Sequence, residues 1–281
     1  MPGPLAIIAG AGRLPGAVAE AAAAAGREVV VFQLDGYRAE LPPGTRTEML
    51  RLERLVPLFR RLAEMRVEEV VLAGAVRRPR LDPALFDPDT AALLPRILPA
   101  LEGGDDSALR AVVDLFETEG FRILGADAVA PSLLPETGVL GEVAPTAADR
   151  ADVTRAAEVV AALGAADVGQ GAVVAGGLVL AVETIQGTDH MLRTLVELPH
   201  PARPHAPRGV LFKAPKPGQE RRVDLPTIGP DTISGARAAG LAGVAVEAGG
   251  VLLLDRERTV AAADAAGLFL WVREAESCAS S

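Results

Sequence analysis

The sequence predicts an α/β protein of two domains, an N-terminal Rossmann-like parallel sheet and a C-terminal mixed-sheet α/β domain, joined by a Pro/Gly-rich linker. Three observations carry this. Up to Leu124, short apolar runs alternate with helical patterns, the signature of βαβ units. Pro131, Pro135, Gly138, Gly141 and Pro145 then follow in close succession, as in an interdomain linker. Beyond them, Ala175-Gly176-Gly177 separates two apolar runs, a hairpin signal that brings antiparallel pairing into the second sheet. The expected boundaries are 1–132 for the N-terminal domain, 133–145 for the linker and 146–281 for the C-terminal domain.

Residues 5–9 are a compact apolar run that passes through Gly10-Ala11-Gly12 into a helical pattern over 14–25, stopped by Gly26, and a strand pattern returns over 28–34. This is a βαβ opening of the nucleotide-binding kind. Gly10, Gly12 and Gly16 depart from strict dinucleotide spacing, although Asp35 ends the second strand where a ribose-binding acid would sit. A tight strand-to-helix turn explains the same glycines without a ligand. Strand patterns at 45–50, 69–75 and 121–124 alternate with helical ones at 55–65, 91–101 and up to 119. Open sheets bind ligands beyond the carboxyl ends of their strands, so the loop at Gly10 should share a crevice with Gly74, Ala75, Arg77 and Arg78. Gly103-Gly104-Asp105-Asp106-Ser107 precedes the last of these helices; one acid is an ordinary cap, and the pair also suits magnesium, which makes Asp105 a candidate ligand.

The second half opens with a helical pattern over 147–163, followed by strands at 168–174 and 178–183. Glu183 is an unexpected acid at the end of an apolar strand; a surface-turned strand end is its plain explanation. Thr188 and Asp189 are natural caps for the helix over 191–198, and either can hold phosphate or metal-bound water. Strand 209–214 is stopped by Pro215 and Pro217, and a basic loop begins. Arg208, Lys213, Lys216, Arg221 and Arg222 there face only Glu220, in a chain of net charge -9, which points to an anionic ligand. Lys213 and Lys216 are the only lysines, against 26 arginines, and lysine is a compact point charge suited to one phosphate oxygen. Gly229 and Pro230 then start a helix whose free N–H groups favour anions, and that helix accounts for Asp231. Asp224 has no such local role and can bind a divalent metal or take a proton from water. The chain closes with strands at 243–247 and 251–254, a helix over 256–266 and a strand at 268–272.

Composition excludes several classes. The net charge of -9 and an aromatic content of 3% argue against nucleic-acid binding, and a single cysteine, Cys278, excludes a disulfide framework and a cysteine-rich zinc site. The uncharged run 171–182 falls short of the roughly 20 residues of a membrane span. The N-terminus has no basic region before its first strand, so a cytoplasmic location is expected. No Walker lysine, zincin motif or Gly-x-Ser-x-Gly elbow appears.

Five blocks spread over nearly the whole chain, IIAGAGRLP, LAGAVRRP, GGDDSALR, DVGQGAVVAGGLVLAVETIQGTDHMLR and KAPKPGQERRVDLPTIGPDT, resemble the LpxI-type UDP-2,3-diacylglucosamine pyrophosphatases of lipid A biosynthesis. Glu220 stands where that family more often has Asp. The resemblance implies Mg²⁺-assisted hydrolysis of the substrate to 2,3-diacylglucosamine 1-phosphate (lipid X) and UMP, with water attacking the sugar-side phosphorus. It also implies that the family's essential aspartate falls on Asp224. The candidate site is then Asp224 as catalytic residue, Asp105 and Asp224 as metal ligands, and Gly10, Ala11, Gly12, Gly74, Ala75, Gln170, Thr188, Lys213, Lys216, Arg222 and Thr227 as substrate-binding residues. The expected partners are the lipid-linked UDP-sugar and, transiently, the inner-membrane surface, with no nucleic acid and a homodimer as a family-level expectation. A non-catalytic nucleotide or phospholipid carrier and a dinucleotide-dependent oxidoreductase are the competing readings.

Overall fold

A computed structural model of the chain describes residues 3–76, 81–95, 105–197 and 208–275, with Asp105 and Glu197 described in their backbone only. It divides into two compact units, residues 1–131 together with 220–224, and residues 132–219 together with 225–281.

The first unit is built on strands β1 (Leu5–Ala9), β2 (Val29–Leu34), β3 (Thr47–Leu50), β4 (Glu69–Ala73) and β5 (Arg122–Leu124). They form one sheet in the order β3-β2-β1-β4-β5, parallel throughout. β1 lies at the centre, with Ile7 opposite Val31 on one side and Val71 on the other, and every residue of it is buried. This is why its sequence is apolar without alternation: a parallel strand covered on both faces has no polar side to show. The helix Leu14–Ala24 buries Val18, Ala19 and Ala22, one stripe at helical spacing. On another side, Phe59 and Phe116 meet edge to face at 5.2 Å and Phe121 stacks on Phe59 at 5.9 Å. These three rings anchor the helices Leu55–Glu64 and Asp105–Thr118 to the core. Of the helix expected over 91–101, most lies outside the described residues; just before it, Pro88–Ala91 forms a short helix whose cap, Asp87, accepts from the N–H groups of Asp89 and Thr90.

The second unit holds β6 (Gly138–Val139), β7 (Gly171–Ala175), β8 (Leu178–Val182), β9 (Val210–Lys213), β10 (Thr227–Ile228), β11 (Gly243–Glu247), β12 (Leu252–Leu253) and β13 (Phe269–Arg273). Its main sheet runs β6-β13-β11-β9-β7-β8, with β10 and β12 paired separately. β9, β11 and β13 are parallel, whereas β7 is antiparallel to both its neighbours and β6 is antiparallel to β13, which makes the sheet mixed.

Residues 133–145, expected as a linker, lie inside this second unit. Leu133 is buried, Gly138 and Val139 pair with Val272 and Trp271, and the Leu140 N–H donates to the Leu270 carbonyl. The prolines and glycines there shape the entry to an edge strand, a task with the same composition as a tether.

The β7–β8 turn is held from outside. Gly176 and Gly177 both have positive φ (57° and 78°), as a tight two-residue hairpin requires. Their N–H groups donate to the two carboxylate oxygens of buried Asp152 at 2.9 and 2.7 Å. Asp152 lies on the helix Ala147–Ala165, which begins with a capping box between Thr146 and Asp149.

Candidate active site

The glycine loops of the first unit meet as expected. Ala11 and Ala75 exchange backbone hydrogen bonds at 2.9 Å in both directions, beyond the carboxyl ends of β1 and β4, so Gly10, Ala11, Gly12, Gly74 and Ala75 form one cluster. The Gly10 N–H donates to the Ala73 carbonyl and the Gly12 N–H to the Arg38 carbonyl. The amides of Gly10, Ala11, Gly12 and Ala75 are therefore spent within the protein. Glycine is needed here for packing: a Cβ on Gly10 would lie 2.6 Å from the Ala75 carbonyl oxygen and 2.8 Å from that of Gly74. Gly10→Ala is expected to destabilise the first unit by about 1–3 kcal/mol, the usual cost of overpacking. A thermal melt would read it, and an unchanged midpoint would remove the packing argument.

Asp35, the expected ribose acid of the oxidoreductase reading, is paired instead with Arg51 at 2.6 Å. It borders a cleft of about 490 Å³ beside β3, lined also by Glu48, Arg54 and Arg61, which contains none of the predicted site residues.

Asp224 lies at the end of a short turn, half-buried, and its N–H donates to the Glu220 carbonyl at 3.2 Å. The turn belongs to the first unit, and Val223 packs against the aromatic core there. Arg222 donates from Nε and Nη2 to the two oxygens of Glu220 at 2.9 and 2.8 Å, and from Nη1 to Glu117 at 2.6 Å. Hydrogen bonding from Arg222 holds the Glu220 carboxyl below the usual carboxylate range, and the same bond raises the guanidinium. Sequence reasoning offered Arg222 to phosphate; its fork faces two carboxylates of its own unit. The Glu220 N–H donates to Asp106 Oδ1 at 2.9 Å, and Asp106 pairs with Arg110 at 2.7 Å. The sequence reading met Asp106 only as one of the two adjacent acids at the helix start, and Glu117 not at all. A polar stripe at helical spacing, Asp106, Arg110 and Glu117, was their signal, and it reads as a solvated face.

In the second unit Lys213, the last residue of β9, is 3% exposed. Its Nζ donates to Thr188 Oγ1 at 2.7 Å, and Thr188 Oγ1 donates in turn to Glu183 Oε1 at 3.1 Å. Glu183 Oε2 faces the ammonium at 3.6 Å and is without a hydrogen-bond partner among the described residues. The acid that looked misplaced at a strand end is thus a buried counter-ion. Room for it comes from Gly171, where a Cβ would lie 2.5 Å from Glu183 Oε2. A hydroxyl has one proton, and that of Thr188 is given to Glu183, so its side chain has no proton left for a phosphate oxygen.

Lys216 is also paired: its Nζ donates at 2.7 Å to Oδ1 of Asp167, a residue held at the left-handed φ of 54°. The Lys216 N–H donates to Gln219 Oε1, Gln219 Nε2 donates to Gln170 Oε1 at 3.4 Å, and the Gln170 carbonyl accepts from the Ala214 N–H. Lys216 and Gln170 are thereby brought together around buried Gln219. Thr227 lies on β10, half-buried, its hydroxyl donating to the Leu225 carbonyl. The Asp105 side chain, Arg77 and Arg78 lie outside the described residues. Among the described residues no group of three or more His, Cys, Asp or Glu gathers to hold a metal ion.

Known proteins are similar to this chain in sequence. The family model for the LpxI N-terminal domain matches residues 4–133, and that for the LpxI C-terminal domain matches residues 136–271. The UDP-2,3-diacylglucosamine pyrophosphatase LpxI of Caulobacter vibrioides is 44% identical over 271 residues, which covers 95% of this chain and 96% of that protein.

Proposed function

Because this chain belongs to the LpxI family and is a UDP-2,3-diacylglucosamine pyrophosphatase, we propose that it directs water at the sugar-side phosphorus, releasing 2,3-diacylglucosamine 1-phosphate and UMP, with Asp224 serving that water. One observation carries the assignment. Asp224 is a half-buried carboxylate at the end of a turn braced by Arg222, whose guanidinium goes to Glu220 and Glu117. A carboxylate in that setting can accept a proton from water or orient it.

Magnesium belongs to the same proposal. The ion needs only one or two carboxylates, because it keeps several waters and takes substrate phosphate oxygens as ligands. The half-buried carboxylate of Asp224 fits that chemistry. Asp224 would hold it, with Asp105 as the second expected ligand, and bound Mg²⁺ would stabilise charge on the phosphoryl oxygens.

Lys213 enters the reaction as an oriented donor, since Glu183 balances its charge. Gln170, Lys216 and Thr227, with the surface formed by Gly10, Ala11, Gly12, Gly74 and Ala75, complete the proposed substrate contacts. The diacyl substrate resides in a membrane, so the enzyme works at the inner-membrane surface as a peripheral, cytoplasmic protein, assembled as a homodimer. Among the described residues no helix is long and apolar enough to cross a membrane.

Phosphorus NMR of the purified chain with UDP-2,3-diacylglucosamine and Mg²⁺ in ¹⁸O-labelled water tests the chemistry. Label is expected on the lipid phosphate. Label on UMP would move the attack to the other phosphorus, and retention of lipid without turnover would favour a carrier.

A further inference from the structure

We propose that Asp106 and Glu117 are positioning residues for the pyrophosphatase reaction, holding the turn 220–224 so that Asp224 is presented in one place. The inference rests on the reading that Asp224 does the chemistry.

The turn reaches its anchors from far along the chain: Glu220 is 114 residues from Asp106, and Arg222 is 105 from Glu117. Both anchors stand on the helix Asp105–Thr118. They are separated by about three turns, which places them on one face of the helix and roughly 16 Å apart along it. Asp106 takes the first amide of the turn, and Glu117 takes the guanidinium of its third residue. Glu220, between them in the network, grips the same guanidinium with both oxygens and gives its carbonyl to the N–H of Asp224. Arg110 pairs with the other oxygen of Asp106 and fixes that carboxylate. Val223 points its apolar side chain to the aromatic core, so the polar clamp and the apolar contact hold the turn from two sides.

A five-residue turn has no internal ladder to stiffen it, and a reacting group displaced by about 1 Å can cost on the order of a hundredfold in rate. The clamp supplies what the turn lacks. Asp106 acts here as a hydrogen-bond acceptor for a backbone amide, a task that does not require its charge. That separates positioning from metal ligation, which does.

The test is steady-state kinetics of the full chain carrying Asp106→Ala, Asp106→Asn or Glu117→Gln, with Asp224→Ala in parallel and Mg²⁺ varied. Asp106→Ala is expected to lower kcat about ten- to a hundredfold with KM and half-saturating Mg²⁺ changed less than about twofold. Asp106→Asn keeps the acceptor and is expected to recover kcat to within about threefold. Glu117→Gln is expected to lower kcat by a smaller factor with KM unchanged, and it carries the test should Asp106→Ala not fold. Unchanged kcat in both Asp106→Ala and Glu117→Gln would overturn the proposal, as would an Asn variant as poor as the Ala one with a raised Mg²⁺ requirement. Full activity of Asp224→Ala would overturn the underlying reading instead.

Discussion

Asp224→Ala is expected to lower kcat by about a hundredfold or more while the substrate still binds. General-base help from a positioned side chain is worth about 10²–10⁴ in rate, and loss of a preorganised charge at developing phosphoryl charge is of similar size. The residue is half-buried on a turn that forms part of the first unit, so its removal leaves the sheet and its aromatic core intact. Asp224→Asn sharpens the result. Asparagine keeps the shape and an acceptor oxygen but neither takes a proton at neutral pH nor attracts a cation as a carboxylate does. Both variants should therefore be equally poor. Release of UMP by the purified variants, followed by chromatography, measures this, and unchanged turnover in Asp224→Ala would remove Asp224 from the mechanism.

The other large effect is expected on stability. Removing either partner of a buried ion pair strands a charge and costs about 3–5 kcal/mol, whereas replacing both by apolar groups is often neutral. The side chains of Lys213 and Glu183 are 4% and 9% exposed, so solvent does little to relieve a stranded charge here. Lys213→Met and Glu183→Leu should each lower the unfolding midpoint sharply. The double change Lys213→Met with Glu183→Leu should recover most of that loss. Lys213→Arg keeps the charge but needs room that the site lacks, because β7 already approaches Glu183 so closely that Gly171 admits no Cβ. It is expected to resemble Lys213→Met. Chemical denaturation of the parent, the two single variants and the double variant reads the cycle, and single variants within about 1 kcal/mol of the parent would show that the pair is not a coupled unit.

Much of this molecule is legible in its sequence. Buried parallel strands announce themselves as unbroken apolar runs, and β1, β9 and β11 all lie where such runs predict them. Glycines mark the turns because only they take the backbone conformation or the close approach required, as at Gly176, Gly177 and Gly10. The blocks that resemble the LpxI family cover both domains, and the family models match both.

Charge was different. Read along the chain, the loop from Arg208 to Arg222 is strongly basic, an apparent anion trap. In three dimensions Lys213 faces Glu183, Lys216 faces Asp167, and Arg222 faces Glu220 and Glu117, so most of the excess is cancelled inside the protein. Nor did any local pattern show that residues 220–224 belong to the first unit although their neighbours on both sides belong to the second. The reason is physical. Strands, helices and turns are dictated by neighbours within a few residues, and their periodicity is written in the sequence. An ion pair between residues a hundred positions apart leaves no periodic trace, and only tertiary structure decides which charges remain to meet a ligand.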